Sequence, residues 1–207
     1  GYGFFNKVKN FYDLYGSLVI KPISGRGSAG IFIIHKPTAT LNEISDKIIN
    51  FNGIKDFLKR YKNFTFPKKV IIMEKLFGPV CDIDLLSWKG TPISVICRKR
   101  IHENWPNKGH IIMKNKELRN LGKKIIKDFN LSWLYDCDVM FDNNGNPIPI
   151  EINPRQSGSI AISIKAGSNI LNNLLRIYAG KQPLKENTSL SKYVLPFTGL
   201  KNINKIY

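Results

Sequence analysis

The sequence is short of negative charge: 15 Asp+Glu stand against 32 Lys+Arg, a formal net charge of +17. It holds three cysteines, Cys81, Cys97 and Cys137, and none falls at CxxC spacing, which argues against a zinc ribbon or a disulfide framework. An odd number of thiols in β-like apolar segments suggests buried structural cysteines and a reducing, cytoplasmic compartment. No apolar run approaches the roughly 20 residues of a membrane-spanning helix, and no signal peptide is visible. The phosphate-loop pattern GxxxxGK[ST] is missing, as are internal repeats and low-complexity segments. What remains is ordinary globular composition: 43% hydrophobic and 23% charged over 207 residues, enough for one large domain or two small ones. The chain begins at Gly1 rather than Met, close to an apparent strand, so the expectation is a fragment whose N-terminal part is missing. The basic surplus draws anions. Lys and Asn are spread along the chain rather than gathered into an arm, which favours general lysine richness over nucleic-acid binding.

The most informative stretch is YDCDVMFDNNGNPIPIEINPR, Tyr135 to Arg155. It predicts a β-hairpin with arms Leu134–Phe141 and Pro147–Ile152 around an Asn/Gly turn, residue types that tolerate the positive φ of tight turns. Glu151 and Asn153, two apart, leave the sheet on one face, and Asp138 returns opposite the far end of the second arm. Two carboxylates and a carboxamide oxygen so placed suit a hard divalent cation shared with phosphates. Arg155 stands two residues further on, within reach of an anion held there. Taken alone, the cluster reads sooner as a solvated polar hairpin end than as a metal site.

Earlier in the chain, SLVIKP and IFIIH are strands joined by Ile23-Ser24-Gly25-Arg26-Gly27-Ser28-Ala29-Gly30. Glycines let such a loop bring backbone N–H groups close to a polyphosphate, and Lys21 stands at its mouth. A mobile surface loop is the plain alternative. Residues 41–50 have helical spacing, with Asn52-Gly53 as a stop, and 54–62 form a second amphipathic helix. KVIIMEKL, CDIDLLSW and TPISVICRKRI predict an antiparallel meander. In it Asp82 and Asp84 share a face that points to solvent or a wet cleft, and Arg98 and Arg100 likewise share a face, with Lys99 opposite. Residues 102–110 read as a polar loop in which His102 and His110 lack metal-ligand spacing. Lys116–Phe129, Ser157–Ala166 and Ile170–Ala179 are predicted helices, and Lys192–Phe197 a last strand.

In this order, VIKP with the loop SGRGSAG, the strand IIMEKLFGP, CDIDLL, VICRKRI and the D-x12-EINPR ending resemble the ATP-grasp superfamily. The resemblance runs from about Ser17 to Gly180, and EINPR is similar to the version in carbamoyl-phosphate-synthase-like and carboxylate–amine ligase members. It implies an α+β fold of two lobes clasping a nucleotide, with a lid lobe at 1–73 and a metal-binding, catalytic lobe at 74–207. It further implies that Lys21 contacts the ATP phosphates and that Ser24, Gly25, Gly27, Ser28 and Gly30 close over them. Glu74, Lys75, Leu76 and Phe77 would form the hinge beside adenine, mainly through the backbone of Lys75 and Leu76. Asp138, Glu151 and Asn153 would hold Mg2+, with Mn2+ an acceptable substitute. Lys21, Arg98, Arg100 and Arg155 would steady the transferred phosphate or the substrate anion. The family's usual ribose-binding Glu falls at Val80, and Asp82 on the same face is the candidate to replace it. The implied activity is ATP-dependent ligation, in which a small-molecule carboxylate becomes an acyl phosphate that an amine or similar nucleophile attacks. The missing N-terminal domain is the implied partner, and a homodimer is compatible with it. An inactive nucleotide-binding relative, and less so a basic nucleic-acid-binding module, are the alternatives.

Overall fold

The computed structural model describes residues 2–24, 29–37, 48–61, 69–102, 108–187 and 193–196. The chain divides into two compact units, Gly1–Lys75 and Leu76–Tyr207. Each mixes helices with a sheet, as the α+β expectation requires.

The first unit opens with a helix that the sequence reading missed, α1 (Tyr2–Tyr15). Phe5, Val8 and Tyr12 recur at helical spacing, and Val8 is fully buried. The strands are β1 (Leu18–Pro22), β2 (Ile31–His35), β3 (Ile48–Asn52) and β4 (Val70–Glu74), with α2 (Ile54–Tyr61) between the last two. Their order is β3-β2-β1-β4. β1 runs antiparallel to β2 and β4, and β2 runs parallel to β3. Leu18, Ile20, Phe32, Ile34, Phe51 and Phe57 fill the core beneath the helices. Two expectations are corrected here. Residues 48–50 are not the end of a helix: Ile48, Ile49 and Phe51 belong to a β-branched and aromatic strand that pairs in register with β2. The rest of that predicted helix lies outside the described residues. The KVIIMEKL strand does not join the following meander either, because β4 pairs with β1 inside the first unit.

The second unit is a six-stranded antiparallel sheet in the order β10-β7-β6-β5-β8-β9. Its strands are β5 (Cys81–Trp88), β6 (Thr91–Arg100), β7 (His110–Met113), β8 (Trp133–Phe141), β9 (Pro147–Asn153) and β10 (Tyr193–Val194). Helix α3 (Lys116–Asp128) follows β7, and α4 (Ile160–Lys165) and α5 (Ile170–Tyr178) follow β9. The β5–β6 hairpin turns on Lys89 and Gly90, both at positive φ (47° and 73°), the two-residue turn whose twist suits antiparallel strands.

Alternation gives this sheet two unlike faces. Ile83, Leu85, Val95, Cys97, Cys137 and Val139 pack with Leu118, Ile125 and Ile126 of α3 in one apolar cluster. Gly122 lets the helix sit close: a Cβ there would stand 2.8 Å from Val95 Cγ1 and 2.9 Å from Leu85 Cδ2. On the other face, Leu86 and Leu134 meet Ile160 and Ile170 of α4 and α5. The three cysteines are all buried, and burial pushes the Cys97 and Cys137 thiols up to about 12.

Candidate functional site: a charged face on the second sheet

Beyond Leu86 and Leu134, the second face of this sheet is charged. The register sets Asp82 opposite Asp138 and Asp84 opposite Asp136, a block of four carboxylates on two adjacent strands. Like charges directly across a ladder repel, and cations from the neighbouring elements meet them. Arg98, across from Asp82 on β6, turns its guanidinium to Asp84: Nε and Nη2 each donate at 2.9 Å. Nη1 donates to Ser159 Oγ at 2.8 Å, and Ser163 Oγ donates to Asp84. Both Arg98 and Asp84 have fully buried side chains. Arg100 donates to Asp82 at 2.6 Å and approaches Asp138 at 3.1 Å. His110, at the start of β7, lies 3.1 Å from Asp82 through Nε2. Arg155 Nη1 donates to Asp136 Oδ2 and to the Gln156 carbonyl, each at 2.9 Å.

The electrostatics follow from that packing. Burial would raise the pKa of Asp82, but the bonds from His110 and Arg100 and the charges of Arg100 and Arg98 hold it well below the usual carboxylate range. Asp138 goes the other way. Burial is the chief cause, Arg100 opposes it, and repulsion from Asp82 and Asp136 helps push the group up to about 7. Burial also raises Asp136, against the bond from Arg155. Of the facing pair, Asp82 gives up its charge less readily than Asp138.

Several predicted residues meet here. Asp138 faces Glu151 and Asp136 faces Asn153 across the hairpin, with a bulge between Asp138 and Val139. Glu151 is exposed and Asn153 half-buried. Arg155 is 56% exposed along its side chain, able to reach beyond the sheet while tied to Asp136. Other expectations change. Asp82 and Asp84 do not face solvent or a wet cleft; they are buried at 2% and 0% exposure. Asp82 is therefore not available to a ribose, since Arg100 and His110 take up its oxygens inside the protein. Arg98 does not present itself to a phosphate, because it is sealed against Asp84 and Ser159. His110 is a buried strand residue, not a loop residue. Asp136, Ser159 and Ser163 were missed; the D-x-D alternation of Asp136 and Asp138 was the available signal for the first.

Among the remaining candidates, Lys21 lies on β1 opposite Ile71, and Glu74 on β4 opposite Leu18. Lys75 donates its N–H to the Ser17 carbonyl at 3.0 Å. Leu76 is buried and Phe77 is 56% exposed. Ser24 is exposed, and Gly30 adopts φ 78°, which its lack of a Cβ makes easy. Gly25, Gly27 and Ser28 lie outside the described residues. Elsewhere in the second unit, a cavity of about 560 Å³ lies between α3 and the β6–β7 pair, lined by Val95, Met113, Arg119, Lys123 and Lys185 among others. None of the carboxylates of the charged face lines it.

Solved structures with this architecture define the class as the ATP-grasp fold. The biotin carboxylase domain of Hydrogenobacter thermophilus 2-oxoglutarate carboxylase, solved with MgADP and bicarbonate, superposes with TM-score 0.62 at 17% identity, over 91% of this chain and 42% of that one. N5-carboxyaminoimidazole synthetase from Staphylococcus aureus gives TM-score 0.62 at 14% identity, over 92% and 47%. N5-carboxyaminoimidazole ribonucleotide synthetase from Thermotoga maritima gives 0.53 at 13%, over 86% and 43%. The chain thus spans less than half the length of each. No curated protein matches the sequence. A family model does: residues 66–195, more than half of the chain, match the family described as ATP-grasp in the biosynthetic pathway with Ter operon. The chain belongs to that ATP-grasp family.

Proposed function

We propose that this chain is the ATP-binding, catalytic part of an ATP-dependent ligase. The observation that carries the reading is the hairpin register, which sets Asp138 against Glu151 and Asp136 against Asn153 beside two arginines, in a chain of ATP-grasp family. Oxygen donors of this kind fit Mg2+, and the fit is supported by a buried Asp136 oxygen that lacks a hydrogen-bond partner among the described residues. Asp138, Glu151 and Asn153 would hold the ion. When bound, it neutralises and orients the phosphates of the nucleotide.

The chain's own residues would do the rest. Lys21 and the loop from Ser24 to Gly30 would bind the phosphates, and residues 74–77 the base. Arg155, with its side chain 56% exposed, would steady the transferred phosphate. Arg100, held by Asp82, would keep positive charge beside Asp138. A substrate carboxylate would attack the γ-phosphate and release ADP, and an amine would then displace phosphate from the acyl phosphate. Such chemistry rests on positioning and electrostatics more than on protein nucleophiles. The biosynthetic context in the family description agrees with bond formation. The relatives' greater length supports a further domain that completes the acceptor site.

Calorimetry tests the nucleotide site. Glu151→Gln and Asp138→Asn should each weaken Mg2+-dependent ATP binding at least tenfold; unchanged affinity in both rejects the assignment. One observation favours a second reading, that of a nucleotide-binding relative without turnover: Val80 stands where the ribose-binding Glu is expected, and Asp82 is committed elsewhere. ATP hydrolysis or ligation by the full-length protein with candidate carboxylates and amines separates the two, because the second reading predicts binding without turnover.

A further inference from the structure

One oxygen from each of Asp82, Asp136 and Asp138 lies within 4.8 Å of the others. Clusters like this are often no more than ion pairs, and two members fit that description. Asp82 is taken by Arg100 and His110, and Asp138 meets Arg100. Asp136 differs. Its Oδ2 accepts from Arg155, while Oδ1 is buried without a hydrogen-bond partner among the described residues, on a side chain only 6% exposed. An unmet buried carboxylate oxygen is costly, so the position calls for a ligand. A hard divalent cation contacts oxygens at roughly 2.0–2.6 Å, so one ion can bridge two oxygens as far apart as these.

We propose that Asp136 is a cation ligand, acting with Asp138 two residues along the same strand to seat Mg2+ or Mn2+ deeper than Glu151 and Asn153 alone would. Asp82 is then a positioning residue that keeps Arg100 off the ion. Arg155 becomes the ion's rival for Asp136, and it swings toward the exposed side when the ion arrives. The cation's use depends on the nucleotide reading above, but its binding does not.

Mn2+ alone is the probe, with unbound ion read by electron paramagnetic resonance, first without nucleotide and then with ATP. Asp136→Asn should weaken nucleotide-free Mn2+ binding at least tenfold with an unchanged circular dichroism spectrum. Arg155→Gln, which removes the competing guanidinium, should tighten it several-fold. If Asp136 serves only to hold Arg155, neither variant changes Mn2+ affinity, and that result overturns the proposal. Should Asp136→Asn fail to fold, Arg155→Gln decides alone: equal or weaker Mn2+ binding overturns it. Mn2+ binding that depends on Asp136 in a protein that never binds ATP would sink the nucleotide reading and leave this one standing.

Discussion

The two faces of the six-stranded sheet share the same strands and differ in little more than residue parity. On β5, β6 and β8, odd-numbered Ile83, Leu85, Val95, Cys97, Cys137 and Val139 are apolar and close under α3. Even-numbered Asp82, Asp84, Arg98, Arg100, Asp136 and Asp138 are six ionisable side chains, of which only Arg100 and Asp138 are appreciably exposed. Both faces are largely dry. The odd face is held by packing that any well-fitting apolar set could supply. The even face is held by named partners at fixed distances, so it tolerates far less change. The lesson is that burial on this sheet does not separate structure from function; the kind of partner does.

The sharpest way to break the contrast is at the Asp84–Arg98 pair. Arg98→Ala leaves a carboxylate buried among Ser163 and Ser159 with no counter-charge, and should cost about 3–5 kcal/mol in urea unfolding. The double replacement Arg98→Met with Asp84→Leu should restore most of that loss, because a well-packed apolar pair avoids the desolvation of two ions. If the single and double variants are equally unstable, the pair is not the source of the effect. On the odd face, Leu85→Ala should cost about 2–4 kcal/mol through the cavity it leaves, with Mn2+ binding unchanged. A loss of Mn2+ binding in Leu85→Ala would mean that the faces are not independent.

A smaller effect comes from protons. Asp138 sits near 7 in the folded protein against an ordinary 3.8, so the folded state holds its proton more tightly than the unfolded chain does. Its stabilising share is complete below about pH 4 and is lost as pH rises through 7. Metal-free protein should therefore weaken by on the order of 2 kcal/mol between pH 4 and pH 7 in chemical denaturation, and Asp138→Asn should flatten that slope. Asp82, whose pKa is lowered, acts in a separate window: its share is lost only as pH falls below 3.8. The smallest change is at the start of α3, where Asn115 Oδ1 accepts the Leu118 N–H at 2.9 Å. Asn115→Ala should cost about 1 kcal/mol in the same assay and leave the even face untouched.

Much of this architecture was legible in the residues. The hairpin arms of 134–141 and 147–152 match β8 and β9 to within a residue, because an Asn/Gly turn between alternating runs leaves little freedom of register. α3 was legible from its stripe of Leu118, Leu121, Ile125 and Ile126. α1 was not, since its aromatic-rich spacing carries no acidic first turn to mark a helix start. β3 was read as helix because Ile48 and Ile49 suit either period over so short a run. For the site, alternation told which side chains share a face but not what covers that face. Arg98 and Asp82 therefore looked available when α4 and β7 in fact enclose them. The partnership of His110 with Asp82 spans 28 residues of sequence and leaves no local trace.

The three cysteines on β5, β6 and β8 carry a practical consequence. Buried thiols with pKa values near 12 for Cys97 and Cys137 expose almost no thiolate at neutral pH. Alkylating reagents can modify them only when the sheet opens beneath α3. The chain thus carries an internal clock: the labelling rate of its native cysteines, followed by mass, measures how often the second unit comes apart.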